Sequence, residues 1–243
     1  MHRAACFAAL LLLVSAHPSF AQGIHLRWTN CVADGGVRNM AFACNSNAGT
    51  AVLVCSFEVP EAVTMRGGVA GVVDVVASGG VLPAWWNFVD CRSGSIHLNI
   101  AAATPVLCPS LLATCLGSEV FESIVPGVPA ANAERLTFSR SNCTGFPHVI
   151  AVGEENVGGV LSLSFDRTVD SPSCTGCGAP VCLILNQMIV FLSGPNLILT
   201  YPAIPPDGNV VTWQGAGFTP GGACLAATPT RRSAWGAVKA LYR

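Results

Sequence analysis

Eleven cysteines behind an export-type leader are the strongest constraint on what this chain can fold into; the twelfth, Cys6, lies inside the leader. Residues 1–21 place His2 and Arg3 before an apolar run from Ala4 to Ala16, then Pro18 and a Ser19-Phe20-Ala21 ending. A charged tip, a short apolar core and a small-x-small end read as a secretory signal peptide, cleaved to leave Gln22 first. The expected destination is periplasmic, cell-surface or extracellular, where cysteines pair and do not stay reduced. The disulfide candidates are Cys31, Cys44, Cys91, Cys108, Cys115, Cys143, Cys174, Cys177, Cys182 and Cys224. An odd total leaves at least one thiol over. Cys55, inside an apolar run, is the expected one, because a free cysteine behaves as a small apolar residue.

Only 10% of the residues are charged and 51% are hydrophobic, a composition too apolar for a disordered chain and sufficient for a sizeable core. Loss of Arg3 with the leader leaves the remainder slightly acidic, with no net attraction for nucleic acid or anionic lipid. After the leader the longest apolar stretch, Val181 to Leu192, is interrupted by Asn186 and Gln187. It falls well short of the roughly 20 residues that span lipid, so no membrane span is expected once the leader is gone.

The hydrophobic pattern has a period of two, which marks strands. Leu161, Leu163 and Phe165 alternate with Ser162, Ser164 and Asp166; Ile96, Leu98 and Ile100 alternate with His97 and Asn99; Leu136 and Phe138 alternate with Arg135, Thr137 and Ser139. Ala51 to Val59, Val69 to Val76, Val181 to Phe191 and Asn196 to Tyr201 carry apolar residues on both faces and read as central strands covered on both sides. Turn signals separate them, among them Gly79-Gly80, Ser193-Gly194-Pro195 and Asp207-Gly208-Asn209. One short helix is expected, over Pro109 to Gly117. The fold class predicted is all-β: a single disulfide-stabilised antiparallel β-sandwich of jelly-roll or immunoglobulin/cohesin-like type over residues 22–218. Residues 219–243 read as a Pro/Gly linker and a basic, aromatic tail. There Ser233 could cap a short helix with Trp235, Val238 and Tyr242 on one face.

Several segments are similar to those of an uncharacterised group of cysteine-rich proteins exported by uncultured bacteria. They are Phe42 to Asn47, Leu82-Pro83-Ala84-Trp85-Trp86, Cys174-Thr175-Gly176-Cys177 through Leu183 to Asn186, Trp213-Gln214-Gly215 and the Trp235 to Arg243 ending. The resemblance implies export and supports the domain extent, and it implies no activity. The ending Trp235-Gly-x-x-Lys239-x-x-Tyr242-Arg243 resembles endings that close otherwise different proteins, which implies a shared terminal sorting signal. A tail docked on the sandwich through Trp235 is the competing expectation.

The chemistry-bearing candidates are few. Cys174-x-x-Cys177-x4-Cys182 could give three ligands to a metal, since a two-residue gap lets two thiolates reach one ion. No second pair follows, and a redox pair would open a helix; structural disulfides are the preferred reading. Trp85 and Trp86 are adjacent, so in an extended chain one would point outward and could stack on a sugar ring; burial of both in a core or beneath a loop is the preferred reading. His25, His97 and His148 are the histidines beyond the leader, and one of them could act as a general base in an unrecognised hydrolase. Glu154 and Glu155 would point to opposite faces, and Glu58 and Glu61 flank Pro60 as turn residues. Asp166 and Asp170 with Asp74 or Asp90 could hold calcium at a rim, without the regular spacing of a calcium loop. No hydrolase elbow, zinc helix or phosphate loop occurs. The chain is therefore read as an exported, non-catalytic structural or adhesion module that uses no cofactor. A surface protein or a glycan is its possible partner. The alternatives are a carbohydrate-binding module using an exposed Trp and a hydrolase with a His-based site.

Overall fold

The valine-rich and alternating segments become strands in the computed structural model, which describes residues 23–98, 119–141, 147–200 and 208–214. One sheet contains β1 (Gly23–Trp28), β3 (Thr50–Glu58), β9 (Asn156–Ser164) and β5 (Ile96–Leu98), in the order β1-β3-β9-β5 and antiparallel throughout. The second follows the order β2-β12-β10-β4-β7-β6. Its strands are β2 (Asn39–Met40), β12 (Val210–Trp213), β10 (Val181–Leu192), β4 (Val63–Ala77), β7 (Ala133–Ser141) and β6 (Glu119–Pro126). Two short strands extend it: β8 (His148–Ile150) pairs with β4 and β11 (Leu197–Leu199) with β10. The all-β sandwich is as expected, with one departure: β2 runs parallel to β12, so the larger sheet is mixed. No α-helix occurs among the described residues, and no helix there is long and apolar enough to cross a membrane. The expected helix at 109–117, the leader, and the linker and tail at 219–243 lie outside the described residues.

One core joins the sheets. Ile24, Leu26, Leu53, Phe57, Leu161 and Leu163 from the smaller sheet meet Val73, Val75, Leu136, Phe138, Leu183 and Leu185 from the larger. Three of the four runs expected to be covered on both sides bury both; the run from Asn196 is corrected, because β11 pairs only with β10 at its edge and leaves Ile198 exposed. Val54, Val157 and Val160 pack with Cys31 outside the smaller sheet, and Val76, Ala133, Cys182, Ile184 and Val210 pack outside the larger.

The interruption at Asn186 is a bulge. Strand β10 slips by one residue against β4 between Leu185 and Gln187, so the inward set changes from Leu183 and Leu185 to Met188 and Val190, all four fully buried. The extra residue turns its amide outward, and Asn186 Nδ2 donates to Asp74 Oδ2 at 2.7 Å. Asp74 also takes a bidentate pair of bonds from its cross-strand partner Arg135, at 2.7 and 2.8 Å.

Two glycines set the spacing of the sheets. A Cβ on Gly71 would lie 2.3 Å from Phe138 Cζ, and one on Gly159 would lie 2.5 Å from Phe138 Cε2. The Phe138 ring thus fills the space that side chains at both positions would need. Overpacking of this kind costs about 1–3 kcal/mol. Gly159→Ala should lower unfolding stability in urea by that amount, and adding Phe138→Leu should recover part of the loss. Equal losses in the single and the double variant would show that the ring is not what the methyl meets.

Candidate functional site

Pro83 leads into a single 3-10 turn, Ala84–Trp86, which advances each side chain by about 120° instead of the 180° of a strand. Both tryptophans consequently turn inward and are fully buried. Burial of both agrees with the preferred reading; the alternative, an outward ring face that could stack on a sugar, is corrected here. They join Trp28, Phe42, Phe165 and Trp213 at one end of the sandwich. Phe42 stacks on Trp213 at 4.1 Å, and Trp85 and Trp86 approach it at 4.8 and 5.1 Å. The indole N–H of Trp213 donates to the Cys177 carbonyl at 2.6 Å, that of Trp28 to the Thr212 carbonyl and that of Trp85 to Thr168 Oγ1, each at 2.9 Å. The Arg92 guanidinium, fully buried, lies 3.6 Å above the Trp85 ring and donates to the carbonyls of Trp85 and Ser164. Burial pushes its pKa down to about 10, against the attraction of Asp166.

The cysteine cluster belongs to the same end. Cys44 is bonded to Cys177 and Cys91 to Cys174. Cys31 and Cys182 are also disulfide-bonded. The metal reading of Cys174, Cys177 and Cys182 is corrected accordingly, because sulfurs already joined to other sulfurs are not thiolates, the form that binds metal. Nor are Cys174 and Cys177 paired with each other, as a redox Cys-x-x-Cys would be. Cys55 is unpaired and buried on the core face of β3, where burial pushes its thiol pKa up. Cys108, Cys115, Cys143 and Cys224 lie outside the described residues.

A second polar concentration occupies the outer face of the smaller sheet. Alternation in β1 sends Ile24, Leu26 and Trp28 to the core and leaves His25 and Arg27 on the other side, with His25 opposite Ser56 and Gly23 opposite Glu58. All four polar side chains are buried. Glu155 completes the group: it accepts the Ser56 hydroxyl at 2.5 Å and the Val32 and Ala33 amides at 3.2 Å each. His25 Nε2 stands 3.3 Å from Glu58 Oε1. Burial pushes the His25 pKa down to about 4, with Glu155 opposing and Arg27 reinforcing the shift. Burial and then the Glu155 charge push Glu58 up to about 7. Arg27 donates to the carbonyls of Leu26 and Gly208 at 2.6 and 2.5 Å. Burial and Arg38 lower its pKa to about 10, against Glu155.

Sequence reasoning missed this group because it took Glu58 for a turn residue beside Pro60. The signal available was the strict alternation of Gly23 to Trp28, which puts a histidine and an arginine on one face. Glu155 is buried and Glu154 exposed, so the two do point apart as expected.

The remaining candidates do not assemble. His97 is exposed on β5 and borders a shallow apolar recess with Ile96, Ser123, Ile124, Leu136 and Phe138; no carboxylate lines it. His148, half-buried on β8, has no hydrogen bond to a serine, cysteine or acid among the described residues. Asp166 accepts the Ser164 hydroxyl and Asp170 the Asn47 amide, while Asp74 is engaged by Arg135 and Asn186. Among the described residues no three His, Cys, Asp or Glu side chains are placed to hold one metal ion. The tail residues Trp235, Lys239, Tyr242 and Arg243 lie outside the described residues. No family model, curated protein or solved structure matches the chain.

Two outcomes follow from this end of the fold. Trp213→Ala removes the ring that Trp28, Phe42, Trp85 and Trp86 all meet, and urea unfolding should register a loss of about 3–5 kcal/mol. A loss below 1 kcal/mol would deny Trp213 that central place. Glu134 accepts the Phe88 amide at 3.1 Å, and burial pushes its pKa up to about 7 against that bond. A raised pKa contributes stability that is fully present below pH 4.5 and lost as pH rises through 7. Glu134→Gln should therefore gain on the wild type between pH 5 and pH 8 in urea midpoint. An unchanged difference at the two pH values would contradict it.

Proposed function

We propose that the chain is an exported, non-catalytic structural or adhesion module of the cell surface or the secreted fraction. The observation that carries this reading is the pair of disulfides Cys44–Cys177 and Cys91–Cys174. They tie segments 133 and 83 residues apart to one short loop above the aromatic end. Cross-links of this kind persist where the surroundings are oxidising. The leader-like residues 1–21 agree with it. His97 and His148 have no acid or nucleophile partner among the described residues, His25 is buried beside Glu58 and away from solvent, and the buried polar groups hold loops onto sheets. The face such a module presents would meet a surface protein or a glycan. The basic, aromatic ending at Trp235 to Arg243 would serve as its sorting or attachment segment.

Expression in a bacterial host with fractionation tests the reading. The exported protein should begin at Gln22 by intact mass and bind alkylating reagent without prior reduction at few cysteines. It should be released from whole cells by external protease or recovered from the medium. Deleting Ser233 to Arg243 should change its location and leave the melting temperature nearly unchanged. Retention of an uncleaved, fully alkylated chain in the cytoplasm would overturn the proposal.

A further inference from the structure

The His25–Glu58 contact is a buried acid and base with no countercharge of its own. Both side chains are about 95% buried, and neither makes a hydrogen bond to another described residue. The other charged groups on this face are committed elsewhere. Glu155 accepts the Ser56 hydroxyl and the Val32 and Ala33 amides. Arg27 is bound to two carbonyls and faces Arg38 and Glu155; Asp34, in the loop above, is half-buried. A second carboxylate beside Glu155 would be repelled, and an imidazolium beside Arg27 would be repelled as well. In a dry site an ion pair loses more hydration than its attraction returns unless its remaining donors and acceptors are satisfied. Here they are not, so the neutral form of both partners is favoured.

We propose that His25 and Glu58 form a proton-swap pair: in the folded chain the proton rests on the Glu58 carboxyl beside a neutral imidazole, and unfolding returns it to His25. The proton leaves the carboxyl oxygen and is taken up by the imidazole nitrogen, with no net exchange with solvent. The shifts given above fit that direction. Glu58, raised to about 7, contributes stability present below pH 4.5 and lost as pH rises through 7. His25, lowered to about 4, contributes stability present above pH 6.5 and lost as pH falls through 4. From about pH 4.5 to 6.5 the two slopes oppose and cancel. The pair thus keeps two buried titratable groups from making the fold pH-sensitive across the mildly acidic range, an advantage for a chain meeting uncontrolled surroundings.

The test is a double-variant cycle of urea unfolding at pH 5.0, 5.75 and 6.5, with Glu58→Gln, His25→Gln and both together. Relative to wild type, Glu58→Gln should lose stability as pH falls and His25→Gln should lose it as pH rises. Each should change the unfolding constant by about tenfold per pH unit, and the double variant should again run parallel to wild type. Single variants parallel to wild type would overturn the proposal, as would a double variant that keeps either slope. Should a variant fail to fold, NMR of the folded wild type at pH 5.5 decides. A neutral His25 ring with a protonated Glu58 carboxyl supports the swap, and an imidazolium beside a carboxylate refutes it.

Discussion

The end of the sandwich built on Trp213 is what the remaining structure depends on. That ring closes β12 in the larger sheet, and Trp28, which closes β1 in the smaller, packs against it at 5.9 Å. Each sheet therefore ends on the other's aromatic side chain. The 3-10 turn, the Phe42 loop and the cysteine loop then assemble around them. Aromatic pairs add about 0.5–1.5 kcal/mol each beyond the area they bury. Their geometry also fixes position, because a T-shaped or stacked contact tolerates little displacement. The disulfides hold the same segments covalently. With the Arg92 guanidinium pressed on Trp85, even the principal cation of this region serves as packing.

The opposite property, polarity under cover, explains why function is hard to read from this chain. Charged residues are scarce, and several of those present lie inside: Arg27, Glu58, Asp74, Arg92, Glu134, Arg140 and Glu155 are all buried. Burial shifts the titration of Arg27, Glu58, Arg92, Glu134 and Arg140, as it does for catalytic groups. For three of the buried acids the bonds describe a structural part. Glu134 fastens the 3-10 region to β7, Glu155 fastens residues 32 and 33 to β3, and Asp74 bridges a cross-strand arginine to a bulge.

Much of the architecture was legible in the sequence. Alternation at Leu161–Ser164 and Leu136–Ser139 located inward faces residue by residue, and uniform valine runs identified the strands covered on both sides. Cys55 stood out as the unpaired thiol because it lies within such a run. What failed did so for local reasons. The outward-facing alternative for Trp85 or Trp86 assumed a strand's two-residue period, and a proline-led turn with a period of three took its place. Glu58 was read from its neighbour Pro60, whereas its environment is set by β1, a strand 30 residues away in sequence and opposite in register. The parallel pairing of β2 with β12 was invisible because a two-residue strand carries no pattern. Pairing among cysteines cannot be deduced from spacing at all.

The positions of the two described disulfides have a consequence for the unfolded chain. Cys91 and Cys174 both lie between Cys44 and Cys177, so the inner bond is nested within the ring that the outer one closes. With the outer bond formed, the inner bond divides the existing ring into two smaller ones that share the Cys91–Cys174 link. The conformational freedom it then removes is less than it would remove from an open chain, since its ends are already held nearer each other. The cross-links are thus partly redundant as entropic restraints. The same nesting means that with either of these two bonds cut, the other still holds a distant segment to the Cys174–Cys177 loop.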